Sequence, residues 1–292
     1  MALRIRSRRA RQRAPRTVGV SAGGMEYAVL GAGSRAILFL PGGPGSDIPA
    51  GFAARMVERQ VRPYLDAGYE VWSLTRRRNM PVGHTVADMA ADHAAFIQEQ
   101  MAGRADVIVG QSYGGLIALH LAAEHPEVVG RVVIAGAAAT IAEEGMNVDV
   151  RWAELRAAGN HAKAGAAMLE YGLPGDRWAW LRRLAGPVAG AAFKHSRTPP
   201  GDLLVEAEAE TVYNARPLLA RITVPVLLIC GDADRFFPPS TVQETADGIT
   251  GCTTITYQGL GHMRTLSSSR LPRDILAWLH TNPPERAAPE LF

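Results

Sequence analysis

Cysteine is scarce in this chain. The 292 residues include only Cys230 and Cys252, and both lie inside apolar runs that resemble strands. Free cysteines are usually buried, and disulfides persist mainly in oxidising compartments. We therefore expect two buried thiols in a protein of a reducing compartment.

Long apolar runs are also missing. No stretch approaches the roughly 20 consecutive apolar residues that a membrane-spanning helix needs. The basic start of the chain is not followed by the apolar segment of a secretory signal peptide. These two absences predict a soluble, cytoplasmic protein with no membrane partner.

Positive charge is concentrated at one end of the chain. The formal net charge is +3, yet residues 1–17 carry seven arginines and no acidic residue, so the remainder has a net charge of −4. Beyond this segment the only lysines are Lys163 and Lys194. A nucleic-acid-binding surface would more often show a basic stripe with interleaved aromatic residues. We expect residues 1–16 to be a disordered basic tail, and we expect no nucleic-acid partner.

Short apolar runs alternate with longer helical patterns along most of the chain, of which 47% is hydrophobic. A mostly parallel central sheet flanked by helices gives this alternation. We therefore predict an α/β fold whose core domain comprises residues 17–137 and 216–292. The predicted strands are Thr17–Val20, Met25–Leu30, Ala36–Leu40, Tyr69–Leu74, Asp106–Val109, Arg131–Ala135, Val224–Cys230 and Thr253–Tyr257.

The pattern changes between residues 138 and 215. Alanine becomes abundant, strand-like runs disappear, and proline and glycine separate several helical pieces. We interpret residues 138–215 as a helical insertion. Its aromatic residues suggest an apolar substrate pocket, although they could equally pack the insertion against the main domain; Trp152 and Trp178 are the candidate substrate-binding residues.

A Gly-x-Ser-x-Gly pattern lies between a predicted strand and a predicted helix, at residues 110–114. A sharp strand-to-helix turn exposes the serine, and the small residues Gly110 and Gly114 let neighbouring segments approach closely. The helix N-terminus directs N–H groups and a positive dipole towards the reacting oxygen. This context makes Ser112 the candidate nucleophile, rather than an ordinary helix cap.

A second glycine-rich loop, Pro41–Gly45, directly follows the strand ending at Leu40. A tetrahedral oxyanion needs rigid backbone N–H donors near the nucleophile. The N–H groups of Gly43 and Tyr113 are the candidate oxyanion-hole donors.

Candidate acid and base residues follow two later strands. His262 comes after the strand Thr253–Tyr257, and both Asp232 and Asp234 come after the strand that ends near Cys230. We favour Asp234 as the acid, because it lies deeper in its loop, and we expect Asp232 to brace the turn. The chain order Ser, Asp, His is the order of an α/β-hydrolase triad.

Other charged or glycine-rich motifs receive no functional role. The run Arg76–Arg78 predicts a charged solvent loop, although it could line the mouth of the site. Glu206, Glu208 and Glu210 predict a solvated helix face. A dinucleotide-like glycine motif at residues 31–36 opens a strand instead of a helix, which argues against pyrophosphate binding.

Together, these motifs resemble the α/β-hydrolase superfamily over nearly the whole chain. The segment Gly42–Gly45 resembles the His-Gly-Gly-Pro-Gly loop of the proline-iminopeptidase-like branch, with Pro41 in place of its histidine. Gln111 and Tyr113 stand where that branch usually has glycine and tryptophan. The resemblance implies that residues 138–215 act as a lid. It is compatible with an esterase-like branch as well as with an aminopeptidase, whose substrate amine Glu206, Glu208 or Glu210 could bind.

The motifs predict a serine hydrolase that forms an acyl-enzyme with a small ester, thioester, lactone or amide, without a metal or cofactor. Two alternatives remain. One is a non-hydrolytic enzyme on the same scaffold, such as a lyase or a cofactor-free haloperoxidase. The other is a catalytically idle binding protein. The sequence does not indicate the substrate or the oligomeric state.

Overall fold

An eight-stranded sheet forms the centre of the protein, as seen in a computed structural model that describes residues 14–283. The strands are β1 Arg16–Val20, β2 Glu26–Leu30, β3 Arg35–Leu40, β4 Tyr69–Leu74, β5 Val107–Gln111, β6 Val132–Ala135, β7 Val226–Gly231 and β8 Thr253–Tyr257. The helices are α1 Gly51–Asp66, α2 Val86–Gln100, α3 Tyr113–Glu124, α4 Glu143–Ala157, α5 His161–Met168, α6 Ala179–Gly190, α7 Pro200–Thr211, α8 Pro239–Gly248, α9 His262–Leu266 and α10 Leu271–Thr281. Short 3₁₀ turns occupy Pro126–Val128, Leu169–Tyr171, Asp176–Trp178, Ala191–Phe193 and Arg216–Arg221.

The strand order of the sheet is β1-β2-β4-β3-β5-β6-β7-β8. The pairs β1–β2 and β2–β4 are antiparallel, and every later pair is parallel. Helices cover both faces, because a parallel strand pair needs a crossover and both of its faces must be buried. The predicted α/β-hydrolase fold is therefore confirmed.

Alternate residues of each central strand enter two different cores. In β5, Val107 and Val109 belong to the core under α1 and α10, whereas Ile108 belongs to the core under α2 and α3. Side chains of a strand alternate between the two faces of the sheet, so a short apolar run serves both layers. Ser112 directly follows Gln111, the last residue of β5.

The helices α4 to α7 lie between β6 and β7. Throughout residues 138–215, all of which the structure describes, the regular elements are helical. Helices α5 and α6 touch closely, since a Cβ added to Gly165 would lie 2.1 Å from the carbonyl oxygen of Gly186. We refer to residues 143–211, which run from the start of α4 to the end of α7, as the cap, and to α4–α7 as the cap helices.

Several boundaries differ from the sequence expectation. Arg16 pairs with Leu30 in β1, so the predicted tail ends before residue 16; its residues 1–13 lie outside the described residues, as do 284–292 of the predicted core domain. Within residues 14–283, none of the helices combines the length and the apolar character needed to cross a membrane.

The two cysteines have different environments. Cys230 is buried in the core, and burial raises the pKa of its thiol to about 12. Cys252 is only partly buried, although burial still raises the pKa of its thiol to about 11. The expectation of two buried thiols is correct for Cys230 and wrong for Cys252, because β8 is the last strand of the sheet and leaves its flank open.

Candidate active site

Ser112 occupies a sharp turn between β5 and α3. Its φ of 51° and ψ of −120° lie in a region that non-glycine residues rarely adopt, so the surrounding structure must hold the turn in place. A Cβ added to Gly110 would lie 2.4 Å from the carbonyl oxygen of Gly114, and one added to Gly114 would lie 2.1 Å from that of Leu40. The glycines at these positions thus permit the close approach that the strained turn requires.

His262 lies beside Ser112 at the N-terminus of α9. Its Nε2 is 3.0 Å from the Oγ of Ser112, across 150 residues of sequence. The imidazole is almost fully buried. This distance is within hydrogen-bond range, so the imidazole can accept the serine proton directly.

Asp234 orients the imidazole from the other side. Its Oδ2 is 2.8 Å from the Nδ1 of His262, and its Oδ1 accepts hydrogen bonds from the N–H groups of Phe236 and Phe237 at 2.9 and 3.3 Å. The carboxylate is therefore fixed by its own loop and holds Nδ1 as the protonated nitrogen. Asp232 instead accepts a hydrogen bond from the N–H of Gly259 at 2.6 Å and braces the two loops against each other.

Aromatic rings cover the imidazole. Phe236 stacks on His262 with a centroid separation of 4.8 Å. Tyr171 of the cap stacks on Phe236 at the same separation, and its ring centroid lies 6.1 Å from that of His262. The sequence places Phe236 in the acid loop but does not indicate this stack. The rings exclude water from one side of the imidazole.

The Gly42–Gly43 segment passes directly against Ser112, the candidate nucleophile. A Cβ added to Gly42 would lie 2.9 Å from the Cβ of Ser112, and Gly43 has a φ of +66°. Tyr113 is the first residue of α3, where the N–H groups of a helix have no intrahelical acceptor. Both candidate oxyanion donors therefore belong to backbone segments that flank Ser112.

Arg76 contacts the Pro41–Gly45 loop. The sequence pattern predicted a solvent-exposed run of arginines at residues 76–78, and this prediction is wrong for Arg76. Its side chain is 1% exposed, and its two Nη atoms donate to the carbonyl oxygens of Pro41 and Gly43 at 3.0 and 2.7 Å. Its guanidinium also lies 4.7 Å from the ring centroid of Tyr113. Arg76 thus contacts both segments that carry the candidate oxyanion donors.

Glu206 connects this arginine to the cap. Its Oε1 lies 2.8 Å from the Nε of Arg76, and its Oε2 accepts a hydrogen bond from the N–H of Gly45 at 2.5 Å. The expected solvated face is wrong for Glu206 and Glu210, which are buried, whereas Glu208 is exposed. Glutamates four residues apart share one helix face, and α7 turns that face inward.

A pair of acidic residues lies between the cap helices α4 and α7. Asp149 and Glu210 are almost fully buried, and each carboxyl group affects the pKa of the other. Burial raises the pKa of the Asp149 carboxyl to about 7, against the opposing effects of His262 and Glu210. Burial and the charge of Asp149 raise the pKa of Glu210 well above its usual range. Burial therefore favours the protonated forms of this pair.

A cavity of about 330 Å³ opens above Ser112. Trp152, Met168 and Tyr171 supply its cap side, and the ring of Trp152 packs against Gly43. Trp178 is not among the lining residues, because it stands in a partly exposed 3₁₀ turn beside the guanidinium of Arg177. The structure therefore brings only one of the two candidate tryptophans to the serine.

No group of three or more histidine, cysteine, aspartate or glutamate side chains within residues 14–283 is arranged to hold a metal ion. The candidate nucleophile Ser112, the candidate base His262 and the candidate acid Asp234 lie together beyond the carboxyl ends of β5, β8 and β7. Parallel α/β sheets place their sites at this edge.

Comparison with known proteins agrees with this fold. The profile of the alpha/beta hydrolase family matches residues 37–271. The chain belongs to the alpha/beta hydrolase family. A curated relative from Variovorax paradoxus (strain S110), which carries the name carbamate hydrolase RutD, is 27% identical over 231 residues, or 75% of this chain and 84% of the relative.

Two solved structures illustrate the similarity in fold. The enol-lactonase from Burkholderia xenovorans LB400 is 21% identical, with a TM-score of 0.66 over 90% of this chain and 100% of that one. The bromoperoxidase from Bacillus anthracis is 18% identical, with a TM-score of 0.67 over 90% of this chain and 100% of that one.

Proposed function

We propose that this member of the alpha/beta hydrolase family is a serine hydrolase that cleaves small carboxylic acyl substrates through an acyl-enzyme at Ser112. The observation that carries the proposal is the continuous chain from the Oγ of Ser112 to the Nε2 of His262, at 3.0 Å, and from its Nδ1 to Asp234, at 2.8 Å. A serine becomes a useful nucleophile only when a positioned base takes its proton. A binding protein would not need this arrangement.

Acylation begins when Ser112 Oγ adds to the substrate carbonyl carbon and its proton passes to His262 Nε2. The N–H groups of Gly43 and Tyr113 stabilise the oxyanion that forms, and each such donor contributes about 10²–10³-fold to the rate. The bond from the carbonyl carbon to the leaving group then breaks, and His262 gives its proton to the departing oxygen, nitrogen or sulfur.

Deacylation repeats these steps with water. His262 takes a proton from the water as its oxygen adds to the acyl carbon, and the Ser112 ester bond breaks when the intermediate collapses. The proton returns to Ser112, and a carboxylic acid leaves. Asp234 remains a carboxylate and balances the charge of the imidazolium, which forms twice in each turnover.

The cavity limits the substrate to a small molecule. Its volume of about 330 Å³ is at the lower end of the usual ligand-pocket range of roughly 300–1,000 Å³. Trp152, Met168 and Leu266 give part of its wall an apolar character. The relatives named as a carbamate hydrolase and an enol-lactonase guide the choice of test substrates.

The proposal is tested with a panel of p-nitrophenyl esters, thioesters, lactones, carbamates and aminoacyl amides. We expect hydrolysis of at least one acyl class by the wild type and a loss of several orders of magnitude in Ser112→Ala, since general-base and oxyanion contributions both act through this serine. Equal rates in the two proteins would overturn the proposal. Product analysis would separate hydrolysis from lyase or haloperoxidase chemistry.

A further inference from the structure

A second crevice of about 330 Å³ lies beside the cavity over Ser112. The two share Tyr171, His262 and Met263, so His262 lines both. Gly42 and Gly43 line the cavity over Ser112. The crevice is instead bounded by Phe236, in the loop that carries Asp234, by Gly261, in the loop before His262, and by the cap.

Three arginines from separate segments line this crevice. Arg177 comes from the cap, Arg235 from the acid loop and Arg264 from α9. His262 also lines this crevice, and its three arginines outnumber the two glutamates of its wall, Glu144 and Glu170. Guanidinium groups match carboxylates in geometry and can bind them through paired hydrogen bonds.

The two acidic residues of the crevice do not neutralise this wall. Glu144 pairs with Arg235 at 2.6 Å. Glu170 is engaged by Arg151 and Arg182 at 2.5 and 3.8 Å, and neither of these lines the crevice. Within the described residues 14–283, neither Arg177 nor Arg264 pairs with a carboxylate, and the guanidinium of Arg177 lies 5.6 Å from the ring centroid of Trp178. Both arginines are exposed, so a ligand can reach them.

We propose that this crevice binds a carboxylate carried by the leaving group of the substrate, with Arg177 and Arg264 as its ligands. The proposal rests on the proposed serine hydrolase function and specifies its substrate class. The leaving group must lie near the Nε2 of His262 to receive its proton. A crevice on the imidazole side of the site is therefore the place where a substituent of the leaving group extends.

The surroundings favour an organic carboxylate. The stacked rings of Tyr171 and Phe236 provide an apolar floor next to the two guanidinium groups. A leaving group with an apolar body and a terminal carboxylate satisfies both features. Because both arginines are exposed, salt should weaken their attraction for it.

The test compares 4-acetoxybenzoate with 4-acetoxybenzamide, two acetate esters whose leaving groups differ in one charged substituent. The measured quantity is kcat/KM for 4-acetoxybenzoate divided by kcat/KM for 4-acetoxybenzamide. The difference in intrinsic reactivity between the two esters contributes equally to this ratio in every variant. We expect Arg177→Ala/Arg264→Ala to lower this ratio about tenfold relative to the wild type, because two exposed charge pairs are lost. We expect Arg264→Glu to lower it further, and high salt to lower it in the wild type.

Arg59→Ala/Arg221→Ala is the matched control, because it removes the same charge from two exposed arginines that line neither cavity. Its ratio should equal that of the wild type. An unchanged ratio in both Arg177→Ala/Arg264→Ala and Arg264→Glu, or an equal fall in the control, would overturn the carboxylate site. If Ser112→Ala loses all activity but the ratio is unchanged in the arginine variants, the proposed hydrolase function stands and only the carboxylate site is rejected.

Discussion

Replacing Glu206 with alanine would leave the guanidinium of Arg76 buried without its ion-pair partner. Both side chains are 1% exposed, and their closest nitrogen and oxygen atoms are 2.8 Å apart. The change also removes the acceptor of the Gly45 N–H, which Glu206 holds at 2.5 Å. Glu206→Ala should therefore lower the stability of the protein and also loosen the Pro41–Gly45 loop beside Ser112.

The expected loss in the free energy of unfolding is about 3–5 kcal/mol, which is typical when one partner of a buried ion pair is removed. For a chain of this size, each kcal/mol lowers Tm by roughly 2–4 °C, so Tm should fall by roughly 6–20 °C. Thermal unfolding followed by circular dichroism measures this shift. Glu208→Ala is the matched control on the same helix, and its exposed side chain predicts a change within about 0.5 kcal/mol.

A double variant separates the effect of a buried unpaired charge on stability from the effect of loop position on the rate of hydrolysis. Arg76→Met/Glu206→Leu removes both charges and should recover much of the stability, because apolar replacement of a buried ion pair is often neutral. It should not recover the rate of ester hydrolysis, since the hydrogen bonds from Arg76 to the carbonyl oxygens of Pro41 and Gly43 are lost. Equal Tm values for Glu206→Ala and Glu208→Ala would refute this reasoning.

Three further changes test separate parts of the structure. Asp234→Asn should lower kcat for ester hydrolysis by about 10⁴-fold, because the imidazole loses its tautomer control; a loss below tenfold would contradict the assigned role. Gly114→Ala should destabilise the fold by about 1–3 kcal/mol or more in urea unfolding, since its Cβ would lie 2.1 Å from the Leu40 carbonyl oxygen, whereas Gly172→Ala meets open space and should not. Burial raises the Asp149 pKa from 3.8 to about 7, so folding favours its protonated form and stability falls as pH rises through that interval. Asp149→Asn should flatten this fall between about pH 4 and about pH 7, and an unchanged slope of the urea midpoint against pH would contradict it.

Much of the sheet follows directly from local patterns. The strands Tyr69–Leu74 and Thr253–Tyr257 have the predicted boundaries, because a short apolar or β-branched run bounded by turn residues has few alternatives. The positions of Ser112, Asp234 and His262 just after strands β5, β7 and β8 also follow from the order of the motifs. Fold topology then brings them to one edge.

The buried charges around the site could not be located in the same way. Arg76 is buried only because α7 of the cap brings Glu206 to it from 130 residues away along the chain. A signal was present, since Glu206 and Glu210 lie four residues apart on the helix face that also carries Leu203 and Ala207. Local pattern alone does not decide whether such a face meets solvent or another charged group.

Activation of Ser112 by His262 can be measured by labelling with a fluorophosphonate probe, because only an activated serine reacts quickly. We expect rapid attachment of one label to the wild type, located at Ser112 by peptide mass spectrometry. We expect no label in Ser112→Ala and a labelling rate lower by orders of magnitude in His262→Ala. A label on another residue, or labelling of His262→Ala as fast as that of the wild type, would show that His262 does not activate Ser112.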